Sequence, residues 1–298
     1  MDPSELGALT PLTGGWSGET FRAETGGAPL VVRIYARPGQ RGEAAAEVDA
    51  ALLRLVRGLV PVPDVVEVRR PDTAAGTPGL LVTSWVDGVR GDELLPTLDD
   101  SGLITLGTHL GELAADLGGM PMLSAGPFLD ADLRVGDLGG ADLTEYVAGL
   151  APAFEHWSDD ERAGLADVAA EAQDTLDRSG RFCLVHSDLN PKNLLLDPAS
   201  LSVAALVDWE FAHAGHPFTD LGNLLRFDRH PAYVEAVLAA YCRRRGGEPG
   251  DVLGQARAAD LWALVDLASR AGQNPVADRA DALLRVIAAR RDPHAVPA

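Results

Sequence analysis

The chain has 298 residues, of which 46% are hydrophobic and 23% charged, enough to bury the core of one large domain or two moderate ones. Its formal net charge of -19 argues against nucleic acid and anionic membranes as partners, because both require a basic surface. It favours small cationic molecules unless the acidic residues serve solubility alone. No apolar run is long enough to span a bilayer and Met1–Glu5 lacks the features of a signal peptide, so we expect a cytoplasmic protein.

The first part of the chain predicts a small sheet with one helix. Gly58 follows a stretch, Arg41–Arg57, whose apolar residues recur at helical spacing, and this predicts an amphipathic helix. Five short runs separated by turn residues are expected to form strands. These runs are Ala8–Thr13, Thr20–Thr25, Leu30–Tyr35, Pro61–Arg69 and Gly79–Val86.

Glycines dominate the turn between the first two of these strands. Glycine lets backbone N–H groups approach a phosphate closely, so Gly15, Ser17 and Gly18 are candidate nucleotide contacts. A glycine-rich hairpin is also an ordinary turn, and the motif alone leaves both interpretations open. A phosphate-binding loop of the G-x-x-x-x-G-K-[ST] type is excluded, because the one lysine of the chain is Lys192.

Arg33 and Glu47 carry opposite charges within this first part. Arg33 belongs to the third strand, and Glu47 lies at the edge of the apolar face of the helix, where a carboxylate requires a cationic partner. We therefore predict that the two form an ion pair. Such a pair either aims Arg33 at bound phosphates or is purely structural.

From Leu103 onward helical periodicity dominates, so we place a boundary near Asp87 and divide the chain into residues 1–87 and 88–298. A helix is expected from Phe218 onward, with Thr219 or Asp220 as its N-cap. The other expected helices are 103–117, 165–176, Ala232–Arg244, Val252–Ala271 and Val276–Arg290.

A hairpin is predicted where Leu194–Leu196 and Val203–Val207 flank the turn sequence Asp-Pro-Ala-Ser. Asn193 opens the first strand and Asp208 closes the second, so an amide oxygen and a carboxylate should meet at the open end. Few, exposed oxygen ligands of this kind suit a Mg²⁺ ion that keeps water and phosphate oxygens. Asp188, in the preceding loop, remains to meet a hydroxyl, which is the arrangement that phosphoryl transfer requires.

The loop reads Val-His-Ser-Asp-Leu-Asn-Pro-Lys-Asn over 185–193, and Leu-Val-Asp-Trp-Glu follows at 206–210. With the glycine turn, strand cation and helix acid upstream, the whole chain resembles the aminoglycoside phosphotransferase family, the small-molecule branch of the protein-kinase-like fold. The amino-acid sequence of this loop is similar to that of enzymes that inactivate viomycin and capreomycin. The resemblance implies a bilobal α+β fold, with a small antiparallel-sheet lobe that binds nucleotide and a larger, mostly helical lobe.

In the second half of the chain, the resemblance implies a role for each residue of the motif. Asp188 corresponds to the catalytic aspartate that orients the acceptor hydroxyl. Asn193 and Asp208 correspond to the metal ligands. His186 and Asp220 correspond to residues that hold the catalytic loop through hydrogen bonds.

In the first half of the chain, the resemblance places Arg33 over the nucleotide phosphates, with Glu47 as its helix partner. Ser84 and Val86 fall in a hinge at 84–87 whose backbone reads the purine.

Two further residues of the motif keep alternative interpretations. Lys192 is either a phosphate contact or a solvated loop residue. Glu210 either binds metal or a cationic substrate, or is a surface acid beside Asp208.

The expected activity is transfer of the γ-phosphoryl group of ATP or GTP, with Mg²⁺, to a hydroxyl of a cationic antibiotic. The antibiotic would be an aminoglycoside or a tuberactinomycin-type cyclic peptide, and the modification would confer resistance. One alternative is a metabolite kinase of the choline, homoserine or sugar type. The other is a non-catalytic nucleotide-binding module, which the presence of Asp188, Asn193 and Asp208 disfavours. The enzyme would act as a monomer or a homodimer.

Overall fold

The structure is a computed structural model that describes residues 9–12, 19–36, 41–139 and 142–297. Its helices are α1 (Ala45–Val56), α2 (Gly91–Leu94), α3 (Asp100–Leu117), α4 (Leu143–Gly149), α5 (Asp159–Leu176), α6 (Thr219–Leu225), α7 (Pro231–Arg245), α8 (Pro249–Ala268) and α9 (Pro275–Arg290). Its strands are β1 (Thr10–Pro11), β2 (Glu19–Thr25), β3 (Ala28–Tyr35), β4 (Val65–Arg69), β5 (Gly79–Ser84), β6 (Val89–Arg90), β7 (Pro121–Met122), β8 (Gly126–Pro127), β9 (Phe182–Val185), β10 (Leu194–Leu196), β11 (Val203–Leu206) and β12 (His213–Gly215).

The backbone groups into two compact units. Unit 1 comprises residues 1–99, 126–136 and 190–214, and unit 2 comprises 100–125, 137–189 and 215–298. The division at Asp87 derived from the sequence follows the chain linearly and stays a prediction. The expected combination of an antiparallel sheet near the N-terminus with a mostly helical remainder is confirmed.

The main sheet of unit 1 has five antiparallel strands in the order β1-β2-β3-β5-β4, and the predicted five strands with one helix are confirmed. Strand β4 starts at Val65 rather than Pro61, because proline has no N–H to donate to the sheet. Alternate residues of β3 point inward, so Leu30 and Val32 are buried. Arg33 directly follows Val32 in β3, so its side chain points to the face of the sheet opposite Leu30 and Val32.

The predicted hairpin also forms within unit 1. Strands β10 and β11 pair antiparallel with Leu194 opposite Leu206, and β6 pairs with the other side of β10. Asp197 closes the turn, since its side chain accepts from the N–H groups of Ala199 and Ser200. At the open end the N–H of Val207 donates to the carbonyl of Asn193 at 3.0 Å. The hairpin therefore brings Asn193 beside the residue that precedes Asp208.

Unit 2 is mostly helical, and the apolar faces predicted for 103–117 and 165–176 are buried as expected. Helix α3 packs along α7, while α5, α8 and α9 pack together around a core that includes Leu165, Leu261 and Ile287. The described residues contain no helix with the length and apolar composition that crossing a membrane requires.

Gly111 allows α3 and α7 to approach closely. A Cβ at this position would overlap the carbonyl oxygen of Val237 and lie 2.9 Å from the Cβ of Ala240. We expect Gly111→Ala to lower the free energy of unfolding by about 1–3 kcal/mol, since neither neighbour can turn aside. Urea unfolding of the full chain measures this change.

Gly254 on α8 provides the matched control. No heavy atom of the described chain would lie within 4 Å of a Cβ at this position. Gly254→Ala should therefore be neutral or raise stability by about 0.5–1 kcal/mol, because alanine restricts the unfolded chain. Equal losses in the two variants would contradict the packing account.

His216, just before α6, is held neutral by its surroundings. Burial lowers its pKa from 6.5 to about 4, and the Phe218 N–H donates to its Nδ1 at 3.4 Å. An unfolded chain takes up a proton at this residue near pH 6.5, whereas the folded chain does not until about pH 4. The stability that neutral His216 maintains is therefore complete above about pH 6.5 and is lost as the pH falls toward 4.

We expect the loss to reach at most about 3 kcal/mol over this interval. His216→Gln should flatten the fall in the free energy of unfolding between pH 6.5 and 4, because glutamine does not titrate. Urea unfolding of both proteins at several pH values gives the difference. Curves of equal slope would contradict the burial of a neutral imidazole.

Candidate active site

In unit 2, strand β9 leads directly into the loop His186-Ser187-Asp188. Ser187 has a φ of 65°, a conformation that serine rarely adopts. The two oxygens of Asp220 accept from the N–H groups of His186 at 2.9 Å and Ser187 at 2.8 Å. His186 is fully buried, and its Nδ1 accepts from the N–H of Asp188 at 3.3 Å. These bonds fix the backbone that presents Asp188, which is half-buried.

The expectation that Thr219 or Asp220 caps α6 is wrong. Phe218 occupies the N-cap position, and no side chain caps the helix there. The physical reason is that both carboxylate oxygens of Asp220 are already engaged by the loop before Asp188.

In unit 1, Asn193 and Asp208 occupy the open end of the hairpin. Asn193 ends a short 3-10 turn and is 2% exposed. Asp208 has a φ of 66° and a ψ of 64°, a left-handed conformation that aspartate tolerates better than most residues. A residue held in this conformation directly after a regular strand turns the chain sharply.

Arg33 reaches the same end of the hairpin from β3. Its guanidinium donates to Asp208 Oδ1 at 2.8 Å and to Glu210 Oε2 at 2.6 Å. Burial alone would lower the pKa of Arg33, but Asp208 and the neighbouring carboxylates raise it above its ordinary value. Arg33 therefore remains a cation held between two acids.

The predicted ion pair between Arg33 and Glu47 is wrong. Glu47 instead accepts from the Nε of Arg70 at 2.6 Å. The carboxylate of α1 that is buried beneath the sheet is Asp49, which is 3% exposed. Two residues apart on a helix differ by about 200° in direction, so Glu47 and Asp49 face different sides.

Asp49, Arg41 and Tyr35 are residues of this cluster that sequence reasoning missed. Asp49 accepts from Arg41 and, at 2.6 Å, from the hydroxyl of Tyr35. Arg41 also donates to the carbonyls of Trp209 at 2.9 Å and Ala212 at 2.5 Å. This chain of bonds ties α1 to the turn that follows Asp208. The sequence signal that could have revealed it is the spacing of Asp49, which precedes the apolar residues Leu52, Leu53 and Val56 by three, four and seven positions and so shares their helix face.

Burial raises the pKa of two of the acids in this cluster. Burial raises the pKa of Asp49, although Arg41 and Arg33 oppose the shift. Burial and the charge of Asp208 raise the pKa of Glu210, although Arg33 opposes the shift. Three carboxylates face two guanidiniums, so the cluster can accept additional positive charge.

A magnesium ion fits the donors at the open end of the hairpin. Asn193 offers an amide oxygen and Asp208 a carboxylate, and Mg²⁺ is commonly bound by one or two carboxylates with substrate phosphates and water. The described residues contain no group of three or more His, Cys, Asp or Glu able to hold a metal by themselves.

The remaining predicted residues have varied positions. Gly15, Ser17 and Gly18 lie outside the described residues. In the predicted hinge, the N–H of Ser84 donates to the carbonyl of Asp64 at 2.9 Å, and its hydroxyl accepts from the N–H of Asp64 at 2.9 Å.

Two other predicted residues differ in exposure. Val86, the remaining hinge residue, is half-buried. Lys192 is exposed, and its N–H binds the side chain of Asn190.

Comparison with protein families gives a match to the model described as "Phosphotransferase enzyme family" over residues 8–258. Among curated proteins, an aminoglycoside 3'-phosphotransferase of Streptomyces fradiae is 29% identical over 246 residues, covering 78% of this chain and 87% of that protein. Acyl-CoA dehydrogenase family member 11 of Rattus norvegicus is 32% identical over 91 residues, or 24% of this chain. The match spans only 12% of the length of that rat protein.

Solved structures share the fold. The aminoglycoside phosphotransferase APH(4)-Ia superposes with a TM-score of 0.68 at 18% identity, covering 97% of this chain and 95% of that one. The GDP complex of wild-type aminoglycoside 2'-phosphotransferase-IIIa superposes with a TM-score of 0.68 at 19% identity, covering 96% and 93%.

Proposed function

Because the chain belongs to the phosphotransferase enzyme family, we propose that it transfers the γ-phosphoryl group of ATP or GTP to a hydroxyl of a small cationic antibiotic. The observation that carries this proposal is the open end of the hairpin. There, within unit 1, the strand that ends just before Asp208 pairs with the strand that follows Asn193, and Arg33 donates to both Asp208 and Glu210. Within unit 2, a loop held by Asp220 presents Asp188.

Arg33 is the residue that would contact the nucleotide phosphates. Its planar guanidinium can donate two parallel bonds to phosphate oxygens. In the structure its two terminal nitrogens each donate to a different carboxylate, Asp208 and Glu210. The backbone of Gly15, Ser17 and Gly18 would add donors. In the hinge, the carbonyl of Ser84 and the backbone of Val86 would contact the purine.

Asn193 and Asp208 would hold Mg²⁺ together with the phosphates. When bound, the ion neutralises charge that develops on the transferred group. Glu210 would keep Arg33 in place, because it remains a carboxylate partner when Asp208 turns to the metal. The residues of the protein would thus align the highly charged phosphates of the nucleotide.

Asp188 would accept a hydrogen bond from the acceptor hydroxyl and orient it toward the γ-phosphorus. The acceptor oxygen forms a bond to phosphorus as the bond to the bridging oxygen of the nucleotide breaks, and the hydroxyl proton passes to Asp188. In a loose transition state this proton leaves late, so orientation matters more than basicity. His186 and Asp220 would serve by fixing the loop.

Charge and relatives support a cationic acceptor. The net charge of -19 attracts polyamines, and a relative that covers most of this chain is named an aminoglycoside phosphotransferase. One structure of APH(4)-Ia is a ternary complex with AMP-PNP and hygromycin B. A tuberactinomycin-type cyclic peptide is a second cationic acceptor with the same chemistry.

A metabolite hydroxyl is the alternative acceptor class. The partial match to a rat protein that is not named for an antibiotic favours this reading. It keeps Asp188, Asn193, Asp208 and Arg33 in the same roles and changes only the acceptor.

Nucleoside diphosphate release across an acceptor panel distinguishes these classes. The panel should contain aminoglycosides, tuberactinomycin peptides, choline, homoserine and neutral sugars, each with ATP and GTP. We expect release with a cationic antibiotic, and a KM for that antibiotic that rises with salt as charges are screened. Release with neutral sugars alone would contradict the antibiotic proposal, and a KM independent of salt would contradict its electrostatic part.

A further inference from the structure

A cavity of about 500 Å³ lies within unit 2, among α5, α8, α9 and the segment that follows α9. None of the residues assigned to phosphoryl transfer lines it. Much of its wall is aliphatic, formed by Val168, Leu261, Leu264 and Ile287. Its volume falls in the range of cavities that bind small molecules.

Arg257 lines this cavity and lacks a counter-ion. It is 8% exposed, and one terminal nitrogen donates to the carbonyl of Leu225. Its Nε is buried without a hydrogen-bond partner, and no carboxylate of the described chain lies within ion-pairing distance. Burial lowers its pKa to about 10, so the side chain is still a cation at neutral pH. A buried charge without a partner is costly, which points to a ligand.

Arg229 adds a second cation to the same wall. It donates to the carbonyls of Arg226 at 2.9 Å and Ala295 at 2.7 Å, and among the described residues it too forms no ion pair. Burial lowers its pKa. The charge of Arg229 also contributes to lowering the pKa of Arg257, so the two guanidiniums repel each other.

The carboxylates near the cavity offset the charge of these two arginines only in part. The charge of Asp260 opposes the lowering of both pKa values, and that of Asp292 opposes it for Arg229. Asp260 is buried and is held by Arg226, at 2.6 Å, and by Asn223, at 3.0 Å. Glu171 and Asp251 are exposed, where water screens their charge. The buried part of the cavity therefore carries an excess of positive charge beside an aliphatic wall.

We propose that this cavity binds a small aliphatic carboxylate. The carboxylate accepts N–H bonds from Arg257 and Arg229, and the hydrocarbon chain packs on Leu261, Leu264 and Ile287. Inorganic phosphate satisfies the guanidiniums equally but leaves the aliphatic wall against a fully polar surface. The site does not depend on the proposed function, since its residues differ.

Titration calorimetry of the full chain with hexanoate tests this site. Acetate supplies the charge without the chain, hexanol supplies the chain without the charge, and inorganic phosphate supplies another anion. We expect hexanoate to bind at least about tenfold more tightly than each of these. No binding of hexanoate, or equal binding of phosphate or hexanol, would overturn the proposal.

Two variants locate the site. Arg257→Met should weaken hexanoate binding at least about tenfold, whereas Arg54→Met, at an exposed position on α1, should not. Gly254→Leu fills the cavity from a position where a Cβ meets open space, so it should also abolish binding without removing a charge. It keeps the test valid if Arg257→Met fails to fold. Unchanged binding in Gly254→Leu would place hexanoate elsewhere and overturn the proposal.

Discussion

Asp188→Asn is expected to lower kcat for phosphoryl transfer by about 10²–10⁴-fold. The amide retains the size of the side chain, but without a negative charge it holds and orients the acceptor hydroxyl less strongly, and it cannot take up the proton late in the transfer. The bonds from His186 and Ser187 to Asp220 do not involve the Asp188 side chain, so the loop should keep its conformation. Nucleoside diphosphate release, with the acceptor at saturation, measures the change.

The control for this variant is Asp174→Asn, which makes the same change of charge at an exposed position on α5. Its kcat should equal that of the wild type. The KM for ATP should be little changed in Asp188→Asn, because Asp188 is assigned to the acceptor. A wild-type kcat in Asp188→Asn would show that another group orients the hydroxyl.

Asp208→Asn is expected to lower kcat/KM for the nucleotide by at least about 10²-fold. Even residues that only support a metal ligand typically change affinity or activity 10–100-fold, and Asp208 is assigned as a ligand itself. The asparagine has no negative charge to offer Mg²⁺. It also removes one of the two carboxylates that pair with Arg33, so that only Glu210 remains of the two. The rate should also require a higher Mg²⁺ concentration, which a titration of activity against Mg²⁺ measures.

Glu210→Gln is the matched control for Asp208→Asn. It removes the other carboxylate of Arg33, at 2.6 Å, but not an assigned metal ligand. We expect a smaller loss of kcat/KM with an unchanged Mg²⁺ requirement. If the two variants raised the Mg²⁺ requirement equally, Glu210 would be a ligand as well.

Local patterns explain the parts of the fold that could be predicted. The hairpin of β10 and β11 follows from two short apolar runs around an Asp-Pro turn, and each step depends on neighbours in sequence. The five-strand sheet and the long helices have equally local signals. The family resemblance rested on the motif spacing within 185–210 together with the glycine turn, strand cation and helix acid upstream, and the match over residues 8–258 confirms the family.

Partners that are distant in sequence could not be predicted in this way. Arg33 pairs with Asp208 and Glu210, 175 and 177 positions further along the chain. Nothing near Arg33 in sequence indicates them, whereas Glu47 was the acid close at hand. The choice between Glu47 and Asp49 depends on how α1 is rotated against the sheet, and both lie beside apolar residues.

The partners of Asp220 also could not be predicted from its neighbours in sequence. In sequence it is an acid at the start of a helix, which is the usual signal for a cap. Its carboxylate is instead used by His186 and Ser187, more than 30 positions earlier. A competing partner brought in by the fold displaced the local one.

Mass spectrometry of the acceptor tests the central claim most directly. The enzyme is incubated with ATP or GTP, Mg²⁺ and each cationic antibiotic in turn, in parallel with Asp188→Asn. We expect one antibiotic to gain the mass of a single phosphate with the wild type and to remain unmodified over the same time with Asp188→Asn. Nucleotide hydrolysis without a phosphorylated acceptor in any reaction, or an equal yield of product with both proteins, would contradict it.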